Sequence, residues 1–214
     1  MNLLIFAPNP ATAASTRFRL EQFFPALERA GIVPHLRPFL DDEGFATLYR
    51  RGQPFDKLGA ALRALGGRVV DLVRALDARA VLIHREAALI GPPLVEALLT
   101  HLVRRPILFD LDDAVWEPYV SPTYGALLSR LLKVPQKTNF TMKHAAAIVA
   151  GNEYIARYAR RFNRTVAVIP TVVDTDRFRP APATNPVPVL GWIGTPSSVQ
   201  YLRALVPALQ RLAE

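Results

Sequence analysis

Two kinds of hydrophobic pattern alternate along this chain. Short apolar runs, typical of β-strands that are buried on both faces, are separated by loops and by longer segments of mixed polarity. Most of these runs are followed directly by charged or small polar residues. The predicted strands cover residues 2–7, 33–39, 80–84, 106–110, 146–151 and 166–170.

The segments between the strands carry apolar residues at helical spacing. The longest has a stripe of large apolar side chains, which predicts a helix face packed in the core rather than against a membrane. That stripe consists of Leu58, Leu62, Leu65, Val69, Leu72 and Leu76. In the first helix Pro25 is expected to kink the helix or to mark its true start. The predicted helices cover residues 17–32, 55–76, 93–103 and 153–162, with one or two more between 122 and 145.

The alternation of strands and helices predicts a parallel, doubly wound α/β sheet of the Rossmann-like kind. The composition changes at RPAPATNPVP, residues 179–188, because four prolines in ten residues are typical of a linker. A new strand at 188–194 and a helix follow, and one strand with one helix cannot bury their apolar faces alone. We therefore predict a complete domain at 1–178, a linker at 179–187, and the opening strand and helix of a truncated second domain at 188–214.

Composition narrows the class of protein. The net charge is +8, and arginine far outnumbers lysine, which suits phosphate and carboxylate partners. Basic residues are scattered without a nucleic-acid-binding module, so we do not expect nucleic acid as a partner. The absence of cysteine excludes disulfides, thiolate metal sites and cysteine nucleophiles. Since no apolar run reaches the length of a membrane span and the N-terminal run is too short for a secretion signal, we expect a cytoplasmic protein.

The most unusual polar cluster lies in ILFDLDDAVW, where Asp110, Asp112 and Asp113 follow an apolar run directly. Several roles are open on the residues alone. A strand that ends in Asp-x-Asp can supply the nucleophile and the acid–base group of a haloacid-dehalogenase-like phosphatase, although Ala114 stands where that class has Thr or Val. Such a pair can also hold a divalent ion that bridges a diphosphate. A carboxylate here can equally cap the next helix, pair with an arginine, or line a ligand cleft.

Polar residues concentrate where the predicted strands end. In parallel α/β sheets ligands bind beyond the carboxyl ends of the strands, so these residues are candidates for one wall of a cleft. Asp110 is the one that we expect to touch the substrate, and it is the candidate catalytic residue. The other cleft candidates are Ser15, Arg17, Arg19, Arg85, Glu86, Asp112, Asp113, Asn152, Thr171 and Asp174.

Five segments carry a resemblance to a known family. IPTVVDTDRFRP resembles the segment that closes the N-terminal domain of family-four glycosyltransferases, and AIVAGNEYIARYARRF looks like the strand and helix that precede it. VLIHREAALI, ILFDLDDAVW and VLGWIGTPSSVQYL resemble matching segments of a bacterial branch of that family. The segments occur in the family's order and together span nearly the whole chain.

The resemblance implies the GT-B fold, in which two Rossmann-like domains face each other across a cleft. The first domain would mainly bind the acceptor and the second the nucleotide-sugar donor. Transfer in this family usually retains the anomeric configuration and needs no metal ion or other cofactor. The acidic cluster around Asp110 would then recognise the acceptor, while the turn that holds Gly194, Thr195 and Ser197 would bind the donor.

The resemblance also implies partners and a location. The acceptor would be a glycan or a lipid-linked sugar of cell-envelope polysaccharide biosynthesis, and the protein would act at the cytoplasmic face of the inner membrane. Because the family's donor-binding residues lie beyond residue 214, we expect these 214 residues by themselves to transfer no sugar. The alternative from another class is a non-catalytic module that binds a sugar or a nucleotide.

Overall fold

The computed structural model contains one parallel β-sheet. The structure describes residues 1–50, 52–117, 134, 136–180, 189–194 and 199–213. The strands of the sheet are β1 (Asn2–Ala7), β2 (Val33–Pro38), β3 (Ala80–His84), β4 (Ile107–Leu111), β5 (Ala147–Ala150) and β6 (Val166–Val168). They lie in the order β2-β1-β3-β4-β5-β6, and every neighbouring pair is parallel. The prediction of a Rossmann-like α/β sheet is confirmed, and all six predicted strands are present.

Helices connect and cover these strands. In the described residues they are α1 (Ala14–Arg19), α2 (Phe24–Arg29), α3 (Asp42–Tyr49), α4 (Pro54–Ala75), α5 (Leu94–Leu98), α6 (Gln136–His144), α7 (Glu153–Ala159) and α8 (Val199–Ala213). A π-helical turn at Leu99–Val103 continues α5. Of the region predicted to hold one or two helices, most of residues 122–135 lies outside the described part.

Two predicted elements need correction, and one helix was not predicted. The helix predicted at 17–32 is broken at Leu20. The prediction that Pro25 marks the true start of a helix is confirmed, because it stands in the first turn of α2, where its missing N–H would be unpaired anyway. Helix α3 was not predicted; Asp41 caps it by accepting a hydrogen bond from the Gly44 amide at 2.7 Å. The strand predicted at 188–194 is absent from the described residues 189–194, because none of the six strands pairs with this segment.

Two apolar cores lie on the two faces of the sheet. On one face Leu3 and Ile5 of β1 pack with Leu20 and with the partly buried Phe24 and Leu27. The larger core on the other face joins β1, β3, β4 and β5 to α4, α5, α6 and α7. Strand β1 is buried on both faces, whereas β3 and β5 alternate between buried and partly buried positions; all of them are short apolar runs, which is why the sequence located them well.

Helix α4 packs in the orientation opposite to the predicted one. The side that faces the core carries small or charged residues: Ala60, Arg68, Asp71 and Ala75 are buried. Of the predicted core stripe only Leu72 is partly buried against the core. The other five members, Leu58, Leu62, Leu65, Val69 and Leu76, are exposed. The prediction that this stripe is core was therefore wrong; the larger apolar side of the helix faces solvent.

A buried arginine explains how the polar side of α4 can face inward. Arg68 is only 2% exposed and donates to the backbone oxygens of Ala87 at 2.5 Å and Ala7 at 3.2 Å. It also donates to Asp71 Oδ2 at 2.7 Å, and its guanidinium lies 4.9 Å from the centre of the Phe6 ring. Burial lowers the pKa of Arg68 to about 10, although the charge of Asp71 acts against this. The side chain thus joins α4 to the loops after β1 and β3.

We expect Arg68→Ala to destabilise the protein by about 3–5 kcal/mol, because it leaves the Asp71 carboxylate buried with a reduced set of partners. Urea unfolding followed by circular dichroism measures the change. Arg63→Ala is the matched control, since Arg63 is exposed on the same helix and should change stability by less than about 0.5 kcal/mol. Equal stability of the two variants would contradict this account of α4.

Candidate functional site

A cluster of charged side chains lies at the carboxyl edge of the sheet. The chain winds from β1 to β2 on one side and continues with β3 on the other, so the order of the strands reverses between β1 and β3. In open α/β sheets ligands bind in the crevice at such a reversal. The cluster consists of Arg19 from α1, His84 and Arg85 at the end of β3, and Asp110 and Asp112 at the end of β4.

Asp110 is the centre of this cluster, and it is buried. Arg19 donates to both carboxylate oxygens, from Nη2 to Oδ1 and from Nε to Oδ2 at 3.3 Å. His84 Nδ1 lies 2.7 Å from Asp110 Oδ2. A third donor of the guanidinium, Arg19 Nη1, bonds the backbone oxygen of Ile169 at 2.6 Å, just after β6. Asp110 therefore ties together α1, β3 and β4, and through Arg19 the segment after β6.

His84 has one nitrogen without a partner. A carboxylate that faces a guanidinium accepts hydrogen bonds only, so the proton shared with Asp110 lies on His84 Nδ1. The other ring nitrogen, Nε2, is fully buried, has no hydrogen bond within the described part of the chain, and lies 3.9 Å from Asp112 Oδ1. His84 is the neighbour of Asp110 in strand register, and the sequence alone did not predict the bond between them.

Arg85 and Asp112 form a second, bidentate pair beside the first. Arg85 Nε lies 2.5 Å from Asp112 Oδ1, and Nη2 lies 2.8 Å from Oδ2. Burial acts to lower the pKa of Arg85 and to raise that of Asp112. The hydrogen bond and the charge attraction between the two side chains act in the opposite direction. The net result is a raised pKa for Arg85 and a lowered pKa for Asp112. Arg85 has a φ of 59°, which is unusual for a residue with a side chain. Its amide donates to the Asp110 carbonyl at 2.8 Å, which helps to hold this turn.

Asp113 and Gly151 complete the wall of the crevice. The Asp113 side chain is 67% exposed, accepts a hydrogen bond from the Ala114 amide at 2.9 Å, and keeps Oδ2 3.9 Å from Arg85. The bond is to the amide of the next residue, so the helix-capping role considered above stays a prediction, and the exposed side chain leaves one oxygen accessible. A Cβ added to Gly151 would meet the Asp112 Cα at 3.0 Å, so the glycine allows the loop after β5 to approach the acidic cluster.

Glu86 is buried and pairs with a lysine, and its predicted cleft role stays a prediction. Its carboxylate lies 2.9 Å from Lys137 Nζ, and both side chains are buried behind the loop that follows β3. Glu96 lies in the same buried group and accepts from the Ala87 amide at 3.3 Å. Burial raises the pKa of Glu96. These groups support the loop that carries Arg85 from behind.

The remaining cleft candidates have mostly local roles. Arg17 is exposed and bonds the Thr12 carbonyl at 2.7 Å, and Ser15 lies in the same helix, α1. Asn152 caps α7 through the Ile155 amide at 2.9 Å. Asp174 accepts from the Asp176 amide at 2.9 Å, and Thr171 is exposed in the segment between them and β6. Of these residues, Arg17 and Ser15 lie on the helix that carries Arg19.

Only part of the predicted donor-binding turn lies in the described residues. Gly194 is exposed at the end of an irregular segment. Thr195 and Ser197 lie outside the described residues, as does most of the predicted linker at 179–187. The predicted division into domains and the donor-binding role of the turn stay predictions.

An aromatic cleft lies beside the acidic cluster. The rings of Trp116 and Tyr158 are stacked, with centroids 4.1 Å apart and planes 1° from parallel. Arg161 lies over the Tyr158 ring at 5.1 Å, and the exposed Tyr154 adds a third ring. With Glu117 and Arg157 these side chains line a cleft of about 470 Å³. Trp116 itself is largely buried, so Tyr154 and the arginines are what this cleft presents to solvent.

Comparison with known proteins adds no assignment. No protein-family model matches the chain, and no curated protein matches it. Within the described residues, no group of three or more His, Asp or Glu side chains is arranged to hold a metal ion. None of the helices described is both long and apolar enough to cross a membrane.

Asp110→Asn should destabilise the protein by about 3–5 kcal/mol, because Arg19 would remain buried opposite a neutral amide. Asp113→Asn, three residues along and largely exposed, is the control and should cost under about 1 kcal/mol. Chemical unfolding of both variants tests this directly. An Asp110→Asn protein as stable as the control would show that the cluster does not brace the sheet edge.

Glu96→Gln should stabilise the protein progressively as the pH rises. The pKa of Glu96 is higher in the folded state than its ordinary value of 4.5, so the folded protein holds this proton more tightly than the unfolded chain. The resulting stability is fully present below that value and is lost as pH rises through the folded pKa. Melting temperatures of Glu96→Gln and wild type should therefore converge near about pH 4 and diverge toward about pH 8. Glu28→Gln, at an exposed position, should show no such divergence.

Proposed function

We propose that this chain is the acceptor-binding domain, with the start of the donor-binding domain, of a GT-B glycosyltransferase. The reaction would move a sugar from a nucleotide-sugar to a glycan or lipid-linked acceptor with retention of configuration. The observation that carries the proposal is the braced charged cluster at the carboxyl ends of β3 and β4, beside the reversal between β1 and β3. Open α/β sheets bind ligands at this edge, in the crevice at such a reversal. The five segments that resemble family-four glycosyltransferases are the reason for proposing a sugar as the ligand.

In this proposal the two ion pairs support the site, and nearby exposed side chains recognise the acceptor. Asp110 has both oxygens engaged and acts as a positioning residue for Arg19 and His84. The earlier prediction that Asp110 itself touches the acceptor remains a prediction. Asp113 keeps an accessible carboxylate oxygen, which suits a sugar hydroxyl, and the exposed Arg17 suits a phosphate. The bidentate Arg85–Asp112 pair would keep the wall of the crevice rigid.

The donor would be held mainly by the second domain. A diphosphate needs positive charge or free backbone N–H groups when no metal is used. In the proposal the turn with Gly194, Thr195 and Ser197 supplies backbone groups, and arginines supply charge. During transfer the bond from the anomeric carbon to the diphosphate breaks and a bond to the acceptor oxygen forms. The acceptor hydroxyl gives its proton to an oxygen of the departing diphosphate, which leaves as the nucleoside diphosphate.

A binding module without catalysis is the second candidate. The same crevice would bind a sugar or a nucleotide, and the buried ion pairs would serve only to hold its shape. The phosphatase hypothesis is less favoured by the geometry, because its nucleophile would be Asp110. Both oxygens of that carboxylate accept hydrogen bonds inside the sheet edge, so attack on phosphorus would require breaking the contacts with Arg19 and His84.

The proposal includes a place in the cell. A lipid-linked acceptor would put the protein at the cytoplasmic face of the membrane as a peripheral protein. The sequence analysis assigned no nucleic-acid partner, and the proposal needs none.

Binding and turnover together test the proposal. The protein is incubated with a panel of uridine-, guanosine- and thymidine-diphosphate sugars and with mono- and disaccharide acceptors. Saturation-transfer NMR reports binding, and release of nucleoside diphosphate reports turnover. We expect saturable binding of at least one acceptor, weakened about tenfold in Asp113→Ala because one charged hydrogen bond is worth about 1.5 kcal/mol.

Asp77→Ala is the matched control, since Asp77 is exposed and lies just before β3, at the opposite edge of the sheet. Sugar binding followed by diphosphate release supports the transferase. Binding of a sugar or nucleotide without release by the full-length protein identifies the binding module. Absence of binding across the panel, or equal effects of Asp113→Ala and Asp77→Ala, contradicts both.

A further inference from the structure

The outer surface of α4 and α5 carries an extended apolar area, called here the α4–α5 face. It comprises the exposed apolar side chains of residues 55–76 and 94–102. Helix α5 with its π-helical turn packs against α4, so the two sets of side chains are neighbours. The most exposed members are Phe55, Leu62, Val69, Val73, Leu94 and Leu102, with exposures of 60% to 84%.

Such an area needs an explanation. A typical monomer exposes single apolar side chains, and its largest apolar patch covers about 300–600 Å² and is often functional. Here the large residues of α4 face outward, while the helix is fixed to the sheet by Ala60, Ala75 and the Arg68–Asp71 pair. The orientation is therefore not free to reverse, because Arg68 bonds backbone oxygens in two loops.

The charges around the α4–α5 face are mainly positive. Within residues 54–79 and 94–105, the fully exposed aspartates are Asp56 and Asp77. The exposed arginines are Arg63, Arg74, Arg79, Arg104 and Arg105. Arg105 bonds the carbonyl of Leu76 at 2.5 Å, which fixes one positive charge at the end of the α4 stripe. A helix with a wide apolar side and basic flanks is the pattern of an interfacial helix.

We infer that the α4–α5 face docks on an anionic membrane surface. The apolar side chains would enter the boundary between headgroups and acyl chains, and the arginines would contact lipid phosphates. Helix α4, with 22 residues, would lie in the plane of the surface over about 33 Å. A second copy of the chain fits less well, because a two-fold contact would bring the arginine rim of one copy against that of the other.

This inference does not depend on the proposed transferase activity. It rests on the exposure of α4 and α5 and on the surrounding charge, whereas the transferase rests on the edge of the sheet. It also differs from a contact through the basic residues of α7 and its following turn, which expose no comparable apolar area beside them.

Vesicle flotation tests the inference. The protein is mixed with vesicles of phosphatidylglycerol and phosphatidylcholine, or of phosphatidylcholine alone, and the floated fraction is measured. We expect binding to the anionic vesicles only. Leu62→Glu/Val69→Glu should lower the partition coefficient by roughly tenfold or more, because two charges would enter the apolar boundary. Arg63→Gln/Arg74→Gln should weaken binding and reduce its salt dependence.

Leu205→Glu/Leu212→Glu on α8 is the matched control, because it places the same charges on exposed apolar positions of another helix. It should float like the wild type, and circular dichroism should show that all variants keep their helices. The inference is overturned if the wild type stays unbound, if Leu62→Glu/Val69→Glu still floats, or if the α8 variant loses binding instead. Sedimentation velocity showing a dimer that Leu62→Glu/Val69→Glu dissociates, without vesicle binding, would reassign the face to a second copy.

Discussion

The buried carboxylate of Asp110 imposes the main constraint on this domain. A carboxylate taken out of water must be neutralised and hydrogen-bonded, or it takes up a proton. Arg19 and His84 meet that need from two different elements. Because Arg19 also holds the carbonyl of Ile169, satisfying one charge fixes α1, the end of β3 and the exit from β6 relative to β4. The shape of the crevice follows from this requirement.

Arg68 is a second buried charge that holds elements together at the carboxyl edge of the sheet. Arg68 joins α4 to the ends of β1 and β3, and Arg85 with Asp112 lies between the two buried groups. Loops at the carboxyl edge of a parallel sheet have few apolar contacts of their own, so paired charges and backbone carbonyls hold them instead. A site built in this way is rigid before any ligand arrives, which lowers the entropy lost on binding.

The strands and the class of fold were predictable, because short apolar runs bounded by polar residues alternate with segments of helical periodicity. The position of Asp110 and Arg19 at one edge followed from the same reasoning. Their mutual bond did not follow, nor did the bond to His84, because both depend on the order of strands in the sheet. The pair between Glu86 and Lys137 did not follow either, because Glu86 lies two residues beyond the end of β3 and a side chain there can turn to either side.

The misreading of α4 has a more general cause. An amphipathic stripe shows that a helix has two sides, but periodicity alone does not say which side faces the domain. The usual assumption puts the apolar side inward, and it fails when the polar side contains a residue with fixed partners in the fold. Arg68 and Asp71 are such residues, because Arg68 bonds Asp71 and the backbone oxygens of Ala7 and Ala87 in this orientation. The paired charges thus determine both the inner orientation of α4 and the apolar character of its outer surface.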